Sequence, residues 1–300
     1  MSKAQDASVP CTVVVLNRGG RYYRSAVFQN LENAGFSSVI SVEMNSESYD
    51  IENLITRFPS IRFLIPQGST TIGEMINTAV AETNSPWVFV VWNDIEIAPH
   101  SLSERLFDRL NNDPVFCTAP VLSTEKMEAL PVQMVPALNR NSFQIEPMYF
   151  FRDGSPTVYP FDFTGIYNRE RFIRLGGYDY TITNPYWQNL DFGFRAYLWG
   201  EKIQLSSIFK LAYGGEIPTE DATTDTSYIQ FYLKNLAPVY RKNRITLPLS
   251  CFFSYAVRSG LNIIDAVLYF REARKWIALN NSRFVRDAVT LCGSWEPSLQ

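Results

Sequence analysis

The feature that most constrains the fold of this sequence is an alternation, over residues 12–121, of short apolar runs with segments of helical spacing. Thr12-Val-Val-Val-Leu16, Ser38-Val-Ile-Ser-Val42, Ile61-Arg-Phe-Leu-Ile65, Trp87-Val-Phe-Val-Val91 and Val115–Val121 are strand-length and rich in β-branched and aromatic residues. Between them, residues 21–34, Ile51–Phe58, Ile72–Thr83 and Leu102–Leu110 read as helices. In the third of these the apolar residues recur at 72, 75, 76, 79 and 80, which is one helix face. Such alternation implies an α/β protein with a mostly parallel sheet covered on both faces. Ligands of such sheets lie beyond the carboxyl ends of the strands. Those ends carry the polar residues: Asn17 and Arg18, then Glu43, then Asn93, Asp94 and Glu96.

From residue 123 the pattern loosens, and Pro131, Pro136, Pro147, Pro156 and Pro160 cut the chain into short pieces. Loops on a rigid sheet commonly carry recognition. Arg169–Leu175 and Leu190–Trp199 read as helices, and beyond 228 the chain reads as mainly helical, through Tyr228–Tyr240, Ile263–Leu279 and Asn281–Leu291. The organisation expected is 1–122, 123–227 and a helical extension at 228–300. His100, the sole histidine, reads as an exposed residue at a helix entry, which leaves little room for a histidine-based triad.

Composition narrows the class. An apolar share of 46% with 19% charged residues suits a packed globular core and not a disordered chain. Cys11, Cys117, Cys251 and Cys292 stand far apart, so neither a zinc nor a redox motif is present, and reduced thiols are expected. The polar start of the chain shows no secretory signal, and the uncharged stretch Ile245–Val257 is too short to span a bilayer. A cytoplasmic location is the expectation. Residues 234–287 hold ten Lys/Arg against three Asp/Glu, so this region is +7 within a chain of net charge −3. Interleaved Phe, Tyr and Trp make it a candidate for peripheral contact with anionic lipid, with a homodimer face or a solvated cap as the other readings. Nucleic acid is not an expected partner of so acidic a chain with no recognition motif.

Several segments in order resemble family 2 glycosyltransferases. Leu16-Asn17-Arg18 is similar to that family's first strand end, and Val42-Glu43 to the acidic end of the second strand, which contacts the base. Asn77 in Gly73-Glu-Met-Ile-Asn77 resembles an asparagine near the ribose and diphosphate. Val91-Trp-Asn-Asp-Ile-Glu-Ile97 resembles the metal-binding DxD motif. Arg169–Asp179, ending in Gly-Gly-Tyr-Asp, and Leu190-Asp191-Phe-Gly-Phe-Arg195 are similar to two later segments. The resemblance covers roughly residues 11–200. It implies the GT-A fold, a Rossmann-like, mostly parallel sheet flanked by helices, with 1–122 as the nucleotide-sugar half and 123–227 as the acceptor half.

What the resemblance implies chemically is transfer of a sugar from a nucleotide-diphosphate donor to a saccharide, lipid-linked or protein acceptor, with inversion. A divalent cation, Mn²⁺ or Mg²⁺, would neutralise the leaving diphosphate. Asp94 is the implied metal ligand, with Glu96 as a second, and Asn17, Arg18, Glu43, Asn77, Asn93 and Asp94 the implied donor contacts. Asp191 is the best available general base. Each has a plainer reading: Asp94 as a capping carboxylate, Glu43 as a solvated strand end, Asn77 as a buried amide, and Asp191 as a partner for Arg195 four residues on. Two positions depart from the family. Trp92 stands where the first acid of the metal motif belongs, and Gln188-Asn189 where an acidic pair houses the base. These departures keep open a catalytically inactive binding or assembly subunit.

Overall fold

The structure, a computed structural model, describes residues 9–18, 24–43, 51–97, 101–139, 142–149 and 152–295. The apolar runs form β1 (Val9–Leu16), β2 (Phe36–Val42), β3 (Ile61–Leu64) and β4 (Trp87–Trp92), then a short β5 (Ile95–Ile97) and β6 (Cys117–Ser123). Helices α1 (Arg24–Asn33), α2 (Ile51–Arg57), α3 (Ile72–Ala81) and α4 (Glu104–Asn112) connect them. The start of the predicted helix 21–34 and His100 lie outside the described residues.

Local chemistry explains the boundaries. α3 opens on a capping box, in which Thr71 accepts from the Glu74 amide and Glu74 returns a bond to the Thr71 amide. Every residue of β4 is buried, as a strand covered on both faces requires. Each of its large apolar side chains contributes about 1.5–3 kcal/mol through that burial.

The loop-rich stretch holds more structure than its prolines announce. β7 (Gln133–Asn139) and β8 (Ser142–Met148) pair as an antiparallel hairpin. After β9 (Gly165–Asn168) come α5 (Arg169–Leu175), α6 (Pro185–Leu198) and the long β10 (Ile203–Tyr213). α6 starts with Asn184 capping the Trp187 amide and Pro185 in the first turn, and it is buried at every position from Trp187 to Leu198.

Beyond 228 the chain is mainly helical, with the expected helices at 228–240 and 281–291 corrected in their extent. α7 (Thr226–Phe231) relaxes into a π turn at Tyr232–Leu236, and a hairpin of β11 (Val239–Arg241) and β12 (Arg244–Thr246) follows. Pro248 is followed by α8 (Cys251–Arg258). After α9 (Ile263–Asn280), residues 281–291 form a 3₁₀ turn and a separate α10 (Ala288–Gly293), not one helix. α9 buries Ala266, Phe270, Ala273 and Ile277, a single helical stripe, and Trp276 stacks on Trp199 at the end of α6.

Among the described residues the main sheet has eight strands in the order β3-β2-β1-β4-β9-β6-β10-β5. Six run parallel, and β9 and β5 run against them. The carboxyl ends of β1, β4 and β10 therefore meet at one edge. There the Gly214 amide donates to the Asp94 carbonyl at 2.8 Å, tying the end of β10 to the β4–β5 turn.

Candidate functional site

The site is built on the register of β1 and β4. Leu16 pairs with Trp92, so Asn17 and Asn93 stand side by side just beyond the ladder. The Asn93 amide donates to the Leu16 carbonyl at 2.9 Å, and the Asn93 Oδ1 accepts the Arg18 amide at 3.0 Å. A side chain thus continues the sheet's hydrogen bonding for one more residue. Arg18 is left at the strand end, with its guanidinium across the edge.

That guanidinium is held on every side. Its Nε and Nη2 donate to the two oxygens of Asp94 at 2.8 and 3.1 Å, and Nη1 reaches Asp162 Oδ2 at 2.7 Å. Trp92 lies 4.4 Å from Arg18 Cζ, and the Tyr213 ring lies 5.7 Å away. The Trp92 indole N–H donates to the Asp162 carbonyl and the Tyr213 hydroxyl to its carboxylate, both at 2.9 Å. The cluster reaches solvent: side-chain exposure is 22% for Arg18, 16% for Asp94 and 10% for Asp162. Among the described residues the guanidinium is bonded to Asp94 and Asp162 and also meets the Tyr213 hydroxyl, while part of it stays open to solvent.

Backbone strain marks the same spot. Asp162 and Phe163 are successive non-glycine residues with φ of 52° and 60°. Each left-handed residue of this kind costs on the order of 1–3 kcal/mol and persists where the surroundings enforce it. Here Trp92, Tyr213 and Arg18 together fix Asp162.

The electrostatics follow from crowding. Desolvation raises the Asp162 pKa to about 6; Arg18 and Tyr213 pull it down, and Asp94 adds to the rise. Burial works against the charge of Arg18, yet the Asp94 hydrogen bond and the charges of Asp162 and Asp94 outweigh it and hold its pKa above the ordinary guanidinium value. Nearby, Glu220 accepts from Tyr159 Oη at 2.8 Å. Glu220 is exposed as a residue, but its carboxyl group sits among enough protein for desolvation to raise its pKa to about 7, with Asp162 contributing to the rise.

The remaining predicted residues sit deeper. Glu43 is buried, accepting from Ser41 Oγ at 2.7 Å and from Asn17 Nδ2 at 3.4 Å. Asn17 Nδ2 also donates to Ser41 Oγ and the Val42 carbonyl. Asn17 Oδ1 and Asn93 Nδ2 are buried without a partner among the described residues. A buried group left in that state costs about 1–3 kcal/mol, so this corner of the strand edge is short of hydrogen bonds. Asn77 is a latch: its side chain donates to the Tyr178 carbonyl at 2.8 Å and accepts the Tyr178 amide at 2.9 Å.

Asp191 does not reach the cleft. It is 1% exposed, bonded to Arg195 at 3.1 Å and to Asn235 Nδ2 at 2.6 Å. Arg195 in turn donates to the carbonyls of Leu175 and Gly177. The pair fastens the α5–α6 connection to the core, and a carboxylate so placed cannot take a proton from an acceptor. The amides beside it are structural too. Gln188 accepts from the Gly73 amide and donates to Thr71 Oγ1 and the Asp179 carbonyl, while Asn189 donates to the Pro160 carbonyl.

The expected metal pair also meets a different geometry. Both oxygens of Asp94 are bonded to Arg18, Trp92 has no ligating atom, and Glu96 is exposed on β5, beside Gly214. Among the described residues no three His, Cys, Asp or Glu side chains gather as a metal site. These residues, as paired, do not fit a divalent cation. Asp162 and Tyr213, in contact with Arg18, and the Tyr159–Glu220 pair near Asp162 are candidate site residues outside the sequence motifs. The available signals were a carboxylate set among aromatics in Pro160-Phe-Asp-Phe-Thr164, and the alternating strand that ends in Tyr213-Gly-Gly215. A separate depression of about 470 Å³ lies at the opposite end of β1, where Thr12, Ser37, Thr83 and Ser85 bond to one another.

No protein-family model and no curated protein matches the sequence. Solved structures match its shape. GalNAc-T7 with UDP, GalNAc and Mn²⁺ gives a TM-score of 0.59 at 10% identity, covering 90% of this chain and 57% of that one. Residues 1–349 of S. aureus TarS with UDP-GlcNAc give 0.53 at 11% identity, covering 88% and 71%, and the UDP complex of the same fragment gives 0.52 at 12% identity, covering 88% and 70%. This chain thus spans little more than half the length of the GalNAc-T7 chain. At such identities the likeness is one of fold: the chain has the GT-A fold implied by its motifs, a curled, mostly parallel central sheet flanked by helices, and the helical C-terminal part expected beyond 228 is present.

Proposed function

We propose that this GT-A-fold chain is a glycosyltransferase that binds a nucleotide-diphosphate sugar at the carboxyl edge of its sheet and passes the sugar to a saccharide, lipid-linked or protein acceptor. The observation that carries this reading is the Arg18 guanidinium, fixed between Asp94 and Asp162 at the β1–β4 junction with 22% of its side chain still open to solvent. A leaving diphosphate gains negative charge as the bond to the sugar breaks. A cation held in place beforehand stabilises that charge without reorganising. In this reading the charge expected of Mn²⁺ or Mg²⁺ falls to Arg18, because Asp94 is already committed to it.

The acceptor hydroxyl must lose a proton as it attacks. With Asp191 in the core, Glu220 is the proposed base, for a single displacement with inversion. Its pKa of about 7 suits proton transfer near neutral pH, and it stands at the cleft beside Asp162. Asn17, Asn93 and Glu43 line the neighbouring strand ends, with the unpartnered Asn17 and Asn93 atoms as the hydrogen-bonding deficit for a donor to meet. One observation favours a second reading, the inactive binding subunit: the amides at 188 and 189 are both consumed by structural bonds.

Thermal melting with UDP, GDP, TDP and their sugars tests the proposal, because a ligand at 100 times its Kd adds about 2.7 kcal/mol. One nucleotide class should raise Tm by several degrees in the native chain and leave Arg18→Met unmoved. Donor binding with no transfer to any acceptor would favour the inactive reading, and no shift with any nucleotide would refute both.

A further inference from the structure

Charge and exposure meet on one surface of the C-terminal region. α8 and α9 pack together through Phe252, Tyr255 and Phe270. Their outer faces are also apolar. Phe253 and Val257, one turn apart on α8, are 77% and 85% exposed, and Ile264 in the first turn of α9 is 70% exposed. Val267 and Leu268 continue the α9 face one turn on. Gly260, at φ 67°, takes the left-handed turn between the two helices. So many large apolar side chains exposed on two helices that pack together mark a contact surface.

Basic residues border it. Arg258 closes α8, and Arg271, Arg274 and Lys275 are exposed on the later turns of α9. Against them stand Glu272 and Asp265, and Asp265 is taken up by the Asn262 cap. We propose that the α8–α9 tip docks on an anionic lipid bilayer, with Phe253, Val257 and Ile264 entering the headgroup boundary and the Arg and Lys side chains meeting lipid phosphates. A bilayer offers an apolar layer and negative charge together. A second copy of this chain would instead set like faces together in a symmetric contact, each with four basic side chains against two acidic ones. Among the described residues no helix is long and apolar enough to cross a membrane, so the contact is one of surface docking. It is independent of the donor site.

Flotation of the full chain with vesicles of phosphatidylcholine, with and without one-third phosphatidylglycerol, tests the docking. The chain should float with the anionic vesicles, stay behind with the neutral ones and be released by high salt. The double variant Phe253→Ser, Ile264→Ser should lower the bound fraction roughly tenfold at unchanged Tm, as should Arg271→Glu with Lys275→Glu. Failure to float with anionic vesicles would overturn the proposal. So would a dimer in light scattering that the Phe253→Ser, Ile264→Ser variant dissolves.

Discussion

At the scale of residues, Trp92 organises the candidate site. An acidic residue there would add negative charge beside Asp94. Trp92 instead covers one face of Arg18 and holds the Asp162 backbone, so one guanidinium faces two carboxylates. With Asp162 ionised the trio is net negative; once Asp162 takes up a proton it is neutral. Affinity for a nucleoside diphosphate should therefore strengthen as pH falls through about 6, the Asp162 pKa. Asp162→Asn should bind about three- to tenfold more tightly than the native chain at pH 7.5 and lose that pH dependence, which calorimetric titration would show. Stability carries the same sign. The folded pKa of Asp162 lies above its unfolded value, so its contribution is full below about pH 4 and is lost as pH rises through about 6. Between pH 4.5 and 8 the stability of Asp162→Asn relative to the native chain should rise by on the order of 2–3 kcal/mol in denaturant titrations. For Glu220→Gln, kcat should fall about a hundredfold or more with little change in donor KM, and the rise of rate near pH 7 should disappear.

At the scale of elements, α6 shows why some site residues could be read from sequence and others could not. Strand ends announce themselves, so Asn17, Arg18, Asn93 and Asp94 were found at the sheet's carboxyl edge. Asp191 was marked by a motif, but burial on all sides of α6 turned its partner at i+4 into a core ion pair, and no periodicity reveals that a helix is enclosed on every face. Asp191→Ala should cost about 3–5 kcal/mol in unfolding experiments, because it strands Arg195 in the core. An equal loss of kcat with stability intact would restore Asp191 to the chemistry. Gly193 makes the same point about enclosure: a Cβ there would collide with the Val158 carbonyl and the Tyr159 side chain. Gly193→Ala should lose about 1–3 kcal/mol and disturb the Tyr159–Glu220 contact. Asp162 and Glu220 escaped the sequence because irregular backbone delivers them. A left-handed pair at 162–163 follows no pattern, and the segment holding Glu220 belongs to no helix or strand.

At the scale of the whole molecule, the sheet sorts its functions by direction. Parallel β1, β4 and β10 bring Arg18, Asp94 and Tyr213 to one edge, and antiparallel β9 is inserted between β4 and β6 while β10 closes on β5. The alternating apolar runs dictated most of this sheet because strands covered on both faces admit few other sequences. The exceptions are β5 and β9, which are only three and four residues long, and β10, whose register shifts against β6 between Ser206 and Lys210 and spreads its alternation over eleven residues. The C-terminal helices show the reverse. Their net charge was plain in the sequence, whereas the division into a hairpin and three helices depended on packing against Trp199 and Phe270. If the guanidinium of Arg18 supplies the cation of a donor site on this edge, nucleotide binding needs no metal ion. Calorimetric titration of the preferred nucleoside diphosphate into the full chain, once with EDTA and once with Mn²⁺, tests it most directly. Affinities should agree within about twofold in the two buffers and fall roughly tenfold or more in Arg18→Met. Binding that appears only with Mn²⁺ would contradict the role given to Arg18 while leaving a donor site in place, and no binding in either buffer would contradict the donor site itself.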